Sequence, residues 1–419
     1  MNRAALQRFR QIELFGLYAL AFVLPIMESP KHFALGIFFL GTLGRRLLQE
    51  PVSWRRPDLF EWLLLTIWII ALASTVVNWP FPNGIKGLKN TTCMLFLFWA
   101  MHHGRYDTRQ LKGFLWALTI GVIIGLLWGL WEWQTGVRTE LEFHSAGIVT
   151  QSSIYLAVAV MAMAGALLDE VSGFALNSRL LMTGCTLFSL VGLVLMGSRG
   201  GILGVVITVG LLAPILFRDR RFRVYVLAAL AFLAASTAAI LALSPESHNI
   251  AFRVTRLAKG FIPDPTRNSH VSENDLFRFE HWMVGYAQAT QGGHRLLGIG
   301  PKNFTSIQVE QLVLSRPLET YPKIWTTPEH AHNLFLTKWA EEGLLGLIAF
   351  VLFLCAVAWH LFASRPKGGD ISWSWVAALG ALVVPVIAGF FNSSFENESS
   401  WLAMMLMGLG VSEARKEAG

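Results

Sequence analysis

Charge is scarce in this chain. Asp, Glu, Lys and Arg make up 15% of its 419 residues, against roughly 25% in soluble domains, which excludes an ordinary water-soluble fold. Cysteine is scarcer still. Cys93, Cys185 and Cys355 are the three present; all lie in apolar stretches and none forms a CxxC pair, which excludes a disulfide framework or thiolate metal centre and leaves packing thiols. Internal repeats and low-complexity tracts are missing as well. The first apolar segment has no small-residue cleavage site and runs into a second one, so no cleavable signal peptide is expected.

What is present is apolar: 54% hydrophobic residues, with 16 tryptophans. Apolar stretches of about 15 to 22 residues recur, the length that crosses a hydrocarbon core at helical rise. Lipid offers backbone polar groups no partner but their own helix. The expected fold is therefore an all-α polytopic membrane protein with about twelve transmembrane helices. They are expected at 12–27, 33–49, 59–78, 88–102, 113–131, 151–168, 179–197, 200–217, 224–243, 332–362, 374–391 and 399–413. This divides the chain into residues 1–243, with the first nine spans, a long loop at 244–331, and residues 332–419, with the last three.

Basic residues set the orientation. One set of short loops and both termini hold Arg3, Arg8, Arg10, Arg45, Arg46, Arg55, Arg56, Arg105, Arg109, Lys112, Arg218, Arg220, Arg221, Arg223, Arg365, Lys367, Arg415 and Lys416; the opposite loops hold Lys31, Lys86, Lys89, Arg138 and Arg199. The positive-inside rule then makes both termini cytoplasmic and turns the 244–331 loop outward. The formal charge of +7 is an expression of topology, and no nucleic-acid partner is implied. A polar loop this long in a compact protein is usually functional. Trp282, Phe277, Phe279 and Trp325 argue for order within it, with short helices expected at 248–259, 275–291 and 301–313, separated by prolines 263, 265, 317, 322 and 328.

Three groups of residues on the outward face carry chemistry. GSRGG, Gly197 to Gly201, joins two spans by a tight turn and leaves Arg199 at the bilayer edge, a planar fork suited to phosphate oxygens; the plainer reading is a snorkelling anchor. In NDLFRFEHW, Asn274 to Trp282, helical spacing puts Asp275, Arg278 and Trp282 on one face. Asp275 then either orients Arg278 for a ligand or forms a surface pair worth under about 1 kcal/mol. In EHAHNLFLTKWAEEGLLG, residues 329 to 346, His332 and Asn333 stand at a helix mouth, with Gly343 and Gly346 downstream expected to let that helix approach a neighbour. His332 is the candidate proton acceptor there, against a plain helix-start role. Glu329, His330 and His332 have no well-placed third histidine or cysteine, a weak metal signal. Glu396 and Glu398 read as solvated loop residues that could also meet sugar hydroxyls or a cationic partner.

The order of these features, an SRG turn, an arginine before a tryptophan in a long outer loop, GIGPKNF (Gly298 to Phe304) and H-x-H-N with glycines downstream, resembles the O-antigen ligase and polymerase superfamily from about residue 190 to 400. The resemblance implies a GT-C-like inverting glycosyltransferase of the bacterial inner membrane with a periplasmic active site and neither metal nor cofactor. The implied donor is a glycan on undecaprenyl pyrophosphate and the implied acceptor a sugar hydroxyl of lipid A-core, beside membrane lipids, in a monomer. His332 would be the general base, with Arg199 and Arg278 catalytic and binding, and Asn333, Lys302 and Asp275 assisting. Lys302, Lys323, Arg267, Arg295 and Arg316 would make the loop a cationic roof for phosphorylated core sugars. A chain ending soon after its last span, with one dominant loop, favours ligase over O-antigen polymerase or protein O-oligosaccharyltransferase. Outside the superfamily, a lipid-linked glycan transporter would place ionisable groups at mid-membrane depth, and here they gather at one face.

Overall fold

The computed structural model describes residues 3–49, 57–80, 83–145, 148–169, 173–216, 223–224, 273–291, 294–315, 317–318, 330–365, 371–395 and 397–418. Its helices are α1 (Arg3–Val23), α2 (Glu28–Gln49), α3 (Leu59–Val77), α4 (Gly84–His102), α5 (Thr108–Gln134), α6 (Val149–Leu168), α7 (Leu176–Met196), α8 (Arg199–Leu216), α9 (Glu273–Thr290), α10 (Leu334–Ala363), α11 (Trp373–Gly389) and α12 (Asn397–Ala418). No strand occurs among the described residues. Each expected apolar segment overlaps one of these helices except 224–243, which after Val224 lies outside the described residues. Five, α3, α5, α6, α7 and α10, are long and apolar enough to cross a membrane, and α8 and α11 are shorter apolar helices.

The chain sets its helix boundaries locally. Asp58 and Asp107 begin α3 and α5 with capping boxes closed by Glu61 and Gln110, each meeting amide groups that a helix start leaves unbonded. Gly197 ends α7 in the left-handed region at φ 67°, a conformation glycine reaches without steric cost, and α8 begins two residues later. The tight turn expected from GSRGG is therefore present.

Helix α6 is the buried centre, packed against α5, α7, α8, α11 and α12. Its buried positions include a series of small residues, among them Ala157, Ala159, Ala162, Gly165 and Ala166. In lipid, close backbone approach of this kind replaces the hydrophobic effect as the force between helices. Charges are also buried at both ends of the bundle. Arg45 Nη2 donates to Glu13 Oε1 at 3.0 Å, and the Tyr106 hydroxyl donates to the same oxygen at 3.0 Å; Arg45 is thus an internal ion pair as well as a topological signal. Lys31 pairs with Glu398 with both side chains buried, so Glu398 is not the solvated loop residue expected. Glu396 lies outside the described residues.

The described part of the long loop packs on α10. Helix α9 falls where 275–291 was expected, 248–259 lies outside the described residues, and 301–313 is not a helix but two 3-10 turns, Phe304–Ser306 and Val309–Gln311. The reason is competition for hydrogen bonds. The Asn303 amide donates to Ile299 O at 3.0 Å and its oxygen accepts from Asn83 N at 3.3 Å, while Phe304, Ile307 and Val309 turn inward onto Val284, Ile299, Ala331 and Ala340. A regular helix would point these groups elsewhere.

The most consequential element is α10, which breaks at Gly343 (φ 70°, ψ −175°). The chain at 295–300 crosses there and takes over the released backbone groups: Leu344 N donates to Arg295 O at 2.9 Å, Leu345 N to Leu296 O at 3.2 Å, Ile299 N to Ala340 O at 3.0 Å and Gly300 N to Glu341 O at 2.7 Å. A Cβ at position 343 would stand 2.2 Å from the Leu296 carbonyl. Gly343 thus admits a loop rather than the neighbouring helix expected, and Gly346 faces the Glu342 side chain of its own helix.

Candidate active site

His332 lies in the two-residue connection between the loop and α10, and its own backbone is left-handed, φ 49°. That region is rarely occupied by residues with a side chain and marks positions held by their surroundings. The surroundings are identifiable. Asn333 caps α10, its Oδ1 accepting from Phe335 N at 3.0 Å and Leu336 N at 3.1 Å, while its Nδ2 donates to Phe390 O at 3.2 Å. The Trp282 indole N–H donates to His332 O at 3.1 Å. Thr337 joins Ala331 N (3.2 Å), Asn333 O (2.8 Å) and the Ser393 hydroxyl (3.0 Å). Asn333 therefore acts on His332 through the helix cap, both ends of its amide being used within the chain.

The imidazole of His332 is held from the α11–α12 turn. Asn392 Oδ1 lies 3.2 Å from His332 Nδ1 and 3.1 Å from His330 Nε2. A carbonyl oxygen only accepts, so both ring nitrogens carry hydrogen in this arrangement. The neutral His332 ring then holds its proton on Nδ1 and leaves the Nε2 lone pair as an acceptor. His330 lies tilted beside it at 4.4 Å between centroids, and His281 and Phe277 stand edge-on at 5.0 Å and 5.6 Å. Burial, then the neighbouring His330, His281 and Arg278 charges, push the His332 pKa down to about 3, with the Asn392 hydrogen bond opposing. Burial likewise lowers His281 to about 4, against its own bond to Phe277 O at 2.8 Å. Both rings are neutral at pH 7.

Arg278 projects from α9 near enough for its charge to act on His332, one turn before the Trp282 that grips the His332 carbonyl. The side chain of its sequence partner Asp275 lies outside the described residues. Arg199 opens α8 at the same end of the bundle. A Cβ at the adjacent Gly200 would stand 3.1 Å from Ala388 Cα, one turn before Asn392, and Gln151 Nε2 ties the neighbouring Ser393 O at 2.6 Å. Arg199 is half-buried and has no hydrogen bond or ion pair among the described residues, so its guanidinium is not committed to a structural carboxylate there. Lys302, in the left-handed region at φ 59°, acts electrostatically on Lys31, and the preceding Pro301 packs against Gly87 near the start of α4. Arg267, Arg316 and Lys323 of the expected cationic roof lie outside the described residues.

The arrangement unites a neutral imidazole with an available nitrogen, a guanidinium whose field reaches it, and a second guanidinium on the adjacent turn. Residues 184–351 match the family model described as O-antigen ligase. The chain carries an O-antigen ligase domain. That domain contains Arg199, Arg278 and His332 but stops before Asn392, and it belongs to a family of glycosyltransferase-like enzymes. With the apolar helices it makes the chain a multi-pass membrane protein. No curated protein matches the chain. Reading the sequence alone missed Asn392, His281 and the Trp282 contact. His281 was visible as the residue three after Arg278 on one helix face, whereas the Asn392 contact spans 60 positions with no motif to announce it.

Proposed function

We propose that this O-antigen ligase family protein is the ligase itself: an inverting, metal-independent glycosyltransferase moving O-antigen polysaccharide from undecaprenyl pyrophosphate to a sugar hydroxyl of lipid A-core. The reading includes about twelve spans in the bacterial inner membrane, cytoplasmic termini and a periplasmic His332. The observation that carries it is the Asn392 contact at 3.2 Å, which leaves His332 Nε2 as an acceptor beside Arg278.

In the proposed step the acceptor hydroxyl gives its proton to His332 Nε2 as its oxygen bonds to the anomeric carbon. The bond from that carbon to the pyrophosphate oxygen breaks with its electron pair, and a single displacement inverts the centre. Arg199 and Arg278 meet the charge growing on the leaving group, a role for fixed cations already in place. A histidine pushed down to about 3 by burial and cations is a weak base until the donor binds. The donor's pyrophosphate brings the missing anion, which favours imidazolium and raises the pKa when a proton must be taken. Nearly all remaining acceleration comes from holding two amphiphiles in line.

The test is transfer in vitro from a defined carrier-linked glycan, offered lipid A-core and a carrier-linked repeat in separate reactions. Mass gain on lipid A-core supports the ligase, and gain only on the carrier-linked repeat makes the protein a polymerase. Binding of the carrier-linked glycan with no transfer to either acceptor makes it a transporter.

A further inference from the structure

At the opposite end of α3 and α4 from the histidine site stands a second cluster that glycan transfer does not use. We propose that Asp58, Glu61, His102 and His103 bind one divalent transition-metal ion, with Zn²⁺ the best match to the donor set, and that the ion staples the start of α3 to the end of α4.

The geometry argues for it. Asp58 Oδ2 lies 3.1 Å from His102 Nε2, and Glu61 Oε1 lies 2.9 Å from His103 Nε2. Asp58, His102 and His103 each offer a donor atom, and these atoms all lie within 4.8 Å of one another. Zinc bonds of about 2.0–2.2 Å in a tetrahedron separate donors by roughly 3.3–3.6 Å. Closing these three donors on an ion shortens their separations by up to about 1.5 Å, and Glu61 Oε1, beside His103 Nε2, is brought in as the fourth ligand.

The α3 capping box orients the carboxylates. Asp58 Oδ1 accepts from Glu61 N at 2.9 Å and Glu61 Oε2 accepts from Asp58 N at 2.9 Å. Each carboxylate thus spends one oxygen on the helix start and turns the other toward an imidazole, the kind of outer support that fixes metal ligands. The imidazoles are equally constrained, because His102 ends α4 and His103 caps it. Their rings stand 4.7 Å apart, and His102 is buried between Phe60 at 5.4 Å and Phe98 at 5.8 Å. Trp99 flanks His103 at 5.6 Å and carries the Arg46 guanidinium 5.2 Å from its ring. Two imidazoles and two carboxylates, within an apolar wall, suit Zn²⁺ better than Mg²⁺ or Ca²⁺, which favour oxygen alone.

The site is structural with respect to the histidine site. Nineteen residues of α3, at 1.5 Å each, place it about 28 Å from the other end of that helix, where Asn78 Nδ2 donates to Gly298 O at 2.9 Å.

The full-length protein in detergent, stripped with chelator and desalted, is titrated with Zn²⁺ alone. Metal content, melting temperature and, with Co²⁺ as the probe, visible absorption are then measured. The expected result is one tightly held ion per chain, a rise in Tm of several degrees and the intense bands of tetrahedral Co²⁺. The decisive variant is Asp58→Asn with Glu61→Gln, since Asn still caps a helix and Gln still closes a capping box. It should keep the fold, seen as an unchanged Tm in chelator, and bind at least 100-fold more weakly; His102→Ala/His103→Ala should abolish binding. A wild-type protein that holds no ion and melts identically with and without Zn²⁺, or equal binding by Asp58→Asn/Glu61→Gln, would overturn the proposal.

Discussion

Asn392 Oδ1 stands 3.2 Å from His332 Nδ1, so an amide on the α11–α12 turn decides which nitrogen of the candidate base carries the proton. The same oxygen meets His330 Nε2 at 3.1 Å, coupling the proton positions of the two rings.

Replacing that oxygen should therefore alter chemistry more than binding. Asn392→Leu frees the His332 tautomer and is expected to lower kcat for glycan transfer by about 10²-fold, at the low end of general-base effects, with little change in KM. Asn392→Asp puts a negative charge at the same place, raises the His332 pKa and should move the acidic limb of the kcat profile to higher pH. A pH profile of each variant checks both.

Removing the base itself should cost about 10² to 10⁴ in transfer rate. His332→Asn is the informative substitution because asparagine tolerates the left-handed backbone at φ 49° better than alanine does. We expect both variants to insert, neither to transfer, and His332→Asn to melt higher than His332→Ala.

Acid should weaken the native fold through the same residue. His332 sits near 3 when folded and near 6.5 when unfolded, so between these values the unfolded chain binds the extra proton. Stability is complete above about pH 6.5 and falls as pH drops toward about 3. Thermal melts of wild type and His332→Asn at pH 7.5 and pH 5 should show a smaller acid loss in the variant.

Arg199→Lys keeps the charge and discards the planar fork. Transfer is expected to fall at least about tenfold, the effect of roughly 1.4 kcal/mol of lost transition-state stabilisation. Wild-type rates in that variant would reduce Arg199 to a membrane anchor.

Gly343→Ala should be the most damaging single methyl. The backbone at φ 70° costs any other residue about 1–3 kcal/mol, and the added carbon meets the Leu296 carbonyl at 2.2 Å. We expect a lower Tm and faster proteolysis of the 294–315 segment, measured side by side with Gly346→Ala.

The helices were legible because membrane hydropathy is a strong, local signal, and the basic loops lay where short connections could be counted. Arg199, Arg278 and His332 were legible as residue types too polar for their places. The failures share one cause, which is chemistry supplied from far along the chain. Residues 301–313 looked helical until Asn83, 220 positions away, claimed the Asn303 side chain. Glu398 looked solvated because Lys31, its partner, is 367 positions away. Gly343 had the spacing of a helix-contact glycine, and nothing local announced that Leu296 would cross it.

That crossing divides α10 into two bodies. Leu334–Glu342, with His332 at its head, gives the Ala340 and Glu341 carbonyls to the 295–300 crossing and is tied through Trp282 to α9, while the remainder of α10 gives the Leu344 and Leu345 N–H groups to the same crossing and continues along the bundle. The candidate base therefore stands at the head of a short helical segment clamped from three sides, by α9 through Trp282, by the 295–300 crossing and by the α11–α12 turn through Asn392, so that a change in any one of these distant stretches of chain reaches its position.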